Sequence, residues 1–106
     1  MTGTESEQAV LWGEINAQTA RIAWAELERH FARGVVIWVA SDLDLVEVAV
    51  HIVRDEKPAI EQHMASGKVG QLTDEQASDW AGREADLWAV VAAPWVLVQE
   101  RGAGPV

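Results

Sequence analysis

The chain has no cysteine and no tyrosine, a single phenylalanine, three prolines and only eight lysines and arginines in 106 residues. Zero cysteines exclude disulfides, thiolate catalysis and Cys-ligated zinc together. They fit a reducing cytoplasm, which is the expected location. Seventeen acidic residues against eight basic ones give a formal charge of −9. Such a surface repels phosphate backbones and anionic headgroups, so neither nucleic acid nor membrane is an expected partner. No apolar run approaches the roughly 20 residues of a spanning helix. The longest, Leu87 to Val98, is interrupted by Pro94. The opening MTGTESEQAV has neither a basic region nor an apolar core, so no signal peptide is expected there.

What is present is aliphatic and indole-rich. The apolar fraction is 49%, enough for a packed core, and six tryptophans supply most of the aromatic area. The expected organisation is a flexible arm over residues 1–8, a single domain over 9–100 and a disordered tail over 101–106. Ala20, Trp24, Leu27 and Phe31 form a helical stripe, so a first helix is expected at about 17–33, closed by Gly34. Val35 to Val53 (VVIWVASDLDLVEVAVHIV) reads as two β-branched strands joined by an acidic turn at Ser41 to Asp44. In that reading one hairpin face is aliphatic and the other mixes Val36 and Trp38 with Glu47 and His51. A competing reading makes 44–53 a helix, since Leu45, Val48, Ala49 and Ile52 also fit helical spacing.

Further along, Pro58 suits the first turn of a short helix at about 57–66, with Gly67 as its stop. Residues 68–72 read as a brief strand or an extended link. Thr73 and Gln76 have capping-box spacing and start a third helix. Pro94 leaves two readings of Leu87 to Glu100: one long strand bent at Ala93-Pro94, or a helix to Ala93 followed by a strand. The fold class is therefore α+β, a small antiparallel sheet of three or four strands with three helices in the order α-β-β-α-(β)-α-β.

Motifs with chemistry are scarce. His30, His51 and His63 lack the i, i+4 spacing of a helical zinc site, and Asp42-Leu43-Asp44 is followed by neither the glycine nor the final glutamate of a calcium loop. No G-x-S-x-G elbow and no phosphate-cradling glycine loop occurs. Neither a metal nor another cofactor is implied, and no residue is nominated as catalytic. On a strand, Glu47 and His51 would stand about 13 Å apart, too far to act as a pair.

The segments GVVIWVASDLDLVEVAV, TDEQASDW and LWAVVAAPWVLVQE resemble a bacterial family of short acidic proteins catalogued as domain of unknown function 2288. The resemblance spans roughly residues 14–100, with Pro58 standing where a small helix-former is expected. It implies a compact cytoplasmic bacterial protein and assigns no activity to any position. Because the strands read as apolar on both faces, three helices are too few to shield them. A self-associating interaction module, a homodimer or the carrier of another protein partner, is therefore the leading expectation. Val36, Trp38, Glu47, His51, Trp88 and Trp95 are the interface or ligand candidates. One alternative is a small enzyme or ligand binder with a Trp-lined pocket using Glu47 and His51. Another is an acidic inhibitor of a basic partner.

Overall fold

The computed structural model describes residues 3–83 and 85–101. Two ladders at the centre of a mixed sheet set the architecture. The hairpin of β4 (Leu87–Ala92) and β5 (Trp95–Glu100) pairs antiparallel, and β5 then runs parallel to β2 (Val36–Val39). A short β1 (Ala20–Ile22) extends the sheet beyond β4, and β3 (Val69–Gln71) extends it beyond β2, giving the order β1-β4-β5-β2-β3. Helices α1 (Gly3–Gln18), α3 (Leu45–Val53) and α4 (Lys57–Ala65) lie toward one face. Helices α2 (Trp24–Ala32) and α5 (Asp74–Arg83) lie on the other. The fold class is α+β, as expected, but among the described residues it has five helices and five strands, and the sheet is mixed rather than antiparallel.

The largest correction concerns residues 44–53, which form α3 rather than the second strand of a hairpin. Asp44 is not a turn residue but the helix cap: its side chain accepts from the amides of Val46 at 3.0 Å and Glu47 at 3.4 Å. Leu45, Val46, Val48, Ala49 and Val50 are all buried, so α3 is apolar around most of its circumference and sits between α1, α4 and the sheet. α3 keeps only a narrow polar stripe, the exposed Glu47 and the half-buried His51 one turn apart. Its run of valines is then indistinguishable from a buried strand by periodicity, and packing overrides the β-branched preference.

The surplus of apolar sheet surface disappears with that correction. Ile37, Val39, Val90 and Leu97 pack under α1 and α3. Val36, Val96 and Val98 pack under α2 and α5 with Leu27 and Trp80. Both faces are thus covered within one chain. The segment from Leu87 to Glu100 fits neither expectation, since it folds back as two strands with Ala93-Pro94, a cis peptide, in the turn between them. Pro94 therefore sits outside the ladder instead of bending a strand.

Several local signals hold. Gly34 and Gly67 take φ of 74° and 77° after α2 and α4, where a side chain would be strained. Thr73 and Gln76 close a reciprocal capping box, Gln76 N–H donating to Thr73 Oγ1 at 3.1 Å and Thr73 N–H to Gln76 Oε1 at 3.0 Å. The helix expected at 17–33 is split, because Ala20–Ile22 is drawn into the sheet beside β4 and only Trp24–Ala32 stays helical. The span read as an arm is helical from Gly3, and residues 1–2 and 102–106 lie outside the described residues.

Asp44→Ala removes the acceptor for two amides at the start of α3. Urea unfolding is expected to show a loss of about 1 kcal/mol, with little effect on the slope.

Candidate functional site

Three polar clusters and a cleft of about 700 Å³ are the main candidate places for chemistry or binding among the described residues. In the first cluster, helical geometry brings together what a strand would have kept apart. Glu47 and His51 now lie one turn apart on α3, and His51 stacks on His63 of α4 with ring centroids 5.5 Å apart and planes inclined by 23°. His51 Nδ1 and His63 Nε2 are buried without hydrogen-bond partners. Glu47 is exposed and bonds to neither ring. No group of three or more His, Asp or Glu gathers around one point among the described residues. The pair is thus an inter-helix packing contact, with no carboxylate orienting either imidazole.

The second cluster closes the other end of the sheet. Arg83 forks onto the Glu100 carboxylate at 2.8 and 2.9 Å and onto Asp79 at 2.8 and 3.0 Å. The Trp80 indole N–H donates to Glu100 Oε1 at 3.2 Å. Arg83 holds the Glu100 carboxyl below its ordinary range, opposed by burial and helped by the Trp80 bond. Arg83 spends four N–H bonds within the cluster, which pins α5 to the end of β5.

Trp88 occupies the third. Arg21 and Arg101 stand over its ring at 5.7 and 5.1 Å from the centroid, and Arg21 also pairs with Asp86. Arg101 in turn donates to Gln99, whose buried amide donates to the carbonyls of Ala40 at 2.8 Å and Leu43 at 2.6 Å. This ties the β2–α3 loop to β5.

The cleft lies on the α3 and α4 side of the sheet, beside the β4–β5 turn, with a volume of about 700 Å³. Ile37 and Trp95 form its floor; Ile52, Ile60 and Met64 line it from the helices. Asp55 and Gln71 are its charged and amide groups. Asp55 has φ of 55°, a left-handed conformation that aspartate tolerates, in the turn joining α3 to α4. No hydrogen bond or ion pair reaches its carboxylate among the described residues.

The six sequence candidates are therefore dispersed. Val36 is 2% exposed beneath α2 and α5, and Trp38 is half-buried in the same layer. Glu47 and His51 sit on α3 outside the cleft lining, and Trp88 lies between its arginines. Only Trp95 reaches the cleft. Asp55, Met64 and Gln71 carried no motif. The available signal was indirect: Ile60 and Met64 stack one turn apart on a helix with no buried residue, leaving a stripe without a full partner.

Residues 11–100 match a family described as Protein of unknown function (DUF2288). The chain belongs to this family. Among solved structures, the DUF2288 chain is similar to the NMR solution structure of PA1075 from Pseudomonas aeruginosa. The two are 38% identical over 92% of this chain and 90% of that one, with a TM-score of 0.80. That organism agrees with the bacterial setting the resemblance implied. No curated protein matches the chain. No helix among the described residues of this DUF2288 member is long and apolar enough to cross a membrane.

A depressed carboxyl stabilises the fold above the ordinary glutamate value of about 4.3, and that stability is lost as pH falls through the lower folded value. Glu100→Gln should cost about 1–2 kcal/mol at neutral pH by urea unfolding. Once the pH has fallen below that folded value, the variant and the wild type are expected to converge.

Proposed function

We propose that this chain is a binding module whose contact point is the cleft between α3, α4 and the sheet, and that it acts by holding a partner rather than by catalysis. The cleft itself carries the reading. Its volume of about 700 Å³ falls within the range that accommodates a ligand or an anchoring side chain group, and its lining is mainly aliphatic with one indole. Asp55 is the one ionisable residue in the lining, so no second group stands there to work with it as an acid–base pair. Glu47 and His51, the pair on which an enzyme reading would rest, do not face it.

The neutral fluorophore N-phenyl-1-naphthylamine tests the cleft directly. Saturable, blue-shifted emission is expected with the wild type. Met64 is 56% exposed at the mouth, so Met64→Glu leaves the core intact while placing a charge against the apolar lining. It should weaken the probe about tenfold, and an unchanged affinity would overturn the reading.

Self-association is the second reading, moved from the sheet to α1. Val10 is 60% and Trp12 41% exposed, flanking the Leu11 and Ile15 positions that pack on the core. A homodimer seamed along the Trp12 flank of α1 would shelter that indole. Sedimentation should then show a dimer that Trp12→Glu converts to monomer; a monomeric wild type at tens of micromolar, a concentration of order 10⁻⁵ M, removes the reading.

A further inference from the structure

The edge of β3 adds directional information that the cleft alone lacks. Leu72 N–H donates to Val36 O and Ala40 N–H to Lys68 O, which fixes these as hydrogen-bonded pairs of the antiparallel β2–β3 ladder. Pairs alternate along such a ladder, so Trp38 and Gly70 exchange bonds, while Val69 and Gln71 direct their N–H and C=O groups away from β2. β3 is the outermost strand, and among the described residues nothing pairs with those outward groups. Two donors and two acceptors therefore stand at an i, i+2 interval of roughly 7 Å, the repeat of an extended backbone.

The same residues border the cleft. Val69, Gly70 and Gln71 line it, and both Gln71 and Met64 are exposed, so it opens toward this edge. Asp55 supplies a carboxylate with no lysine or arginine within ion-pair distance among the described residues.

We propose that β3 and the cleft together receive an extended basic peptide from a partner protein. The peptide adds a strand to β3, places one apolar side chain between Met64 and Trp95, and sets a lysine or arginine against Asp55. This rests on the cleft being a binding site and names its occupant. Charge selects the occupant. A basic segment complements a chain of formal charge −9, whereas β3-to-β3 pairing of two copies would bring two such charges and two Asp55 carboxylates together.

The test uses a short acetylated peptide alternating isoleucine with lysine and threonine, read by fluorescence anisotropy of a terminal label and by amide shifts of the protein. Binding should perturb the Val69 and Gln71 amides. N-methylation of alternate peptide amides should weaken binding about tenfold, since it blocks the strand-to-strand bonds. Gln71→Pro deletes a donor that points away from β2, so the ladder survives, and it too should cost about tenfold in peptide affinity. Asp55→Asn should weaken the peptide roughly fivefold, a difference that fades in high salt.

Equal affinity for the methylated peptide, or full affinity in Gln71→Pro, overturns strand addition. If Gln71→Pro does not fold, the methylated peptide decides the matter on wild-type protein. Binding of the naphthylamine without the peptide removes this proposal alone; failure of both removes the cleft reading with it. A wild-type dimer dissolved by Gln71→Pro assigns the edge to a second copy and overturns the basic-peptide occupant.

Discussion

β5 pairs in parallel with β2 on one side and antiparallel with β4 on the other, and the remaining elements are organised around these two ladders. Leu97 and Val98 are fully buried on opposite faces of this strand, one facing α1 and α3, the other α2 and α5. Its Gln99 is also buried and donates to the carbonyls of Ala40 and Leu43, which fixes where β2 ends and the loop into α3 begins. Glu100, the next residue, fastens α5 through Arg83 and Trp80. One strand thus carries the contacts that position helices on both layers. A parallel pair needs a long crossover, which is what the chain between β2 and β5 provides.

How much of this was legible depends on whether the signal was local. Gly34 and Gly67, the Thr73–Gln76 box and Pro58 act within a turn of their own positions, and the structure uses them as the sequence suggests. The second half of the supposed hairpin failed for a tertiary reason. Five of the six residues from Leu45 to Val50 are buried, so the polar stripe narrows to Glu47 and His51 and valine content misleads. Asp44 was the one local clue, and it was equally compatible with a turn. Ala20–Ile22 belonged to a convincing helical stripe and is extended only because the edge of β4 is available to it.

The site was less readable than the fold. A cleft is made by what packing leaves open between Ile37, Ile60 and Trp95, residues from β2, α4 and β5. No spacing rule marks such a set. Trp95 was singled out because its strand reads as apolar on both faces, and it lines the cleft. Val36 and Trp38 were singled out because their face looked uncovered, and that argument fell with the count of helices. The histidines illustrate a third case: His51 and His63 do meet, through the α3–α4 turn, but without the carboxylate or third ligand that would turn proximity into reactivity.

The central placement of β5 bears on how the polypeptide is made. Val36 finds its partner only at Val96, sixty positions later. At ribosomal rates of about 5–20 residues per second, β2 waits roughly 3–12 s for the strand that completes it. Through that interval the nascent chain carries an exposed aliphatic edge, so its solubility on the ribosome depends on what shelters β2 first. The antiparallel contact with β3, only some thirty residues downstream, closes the other edge of β2 first and leaves the β5 side open.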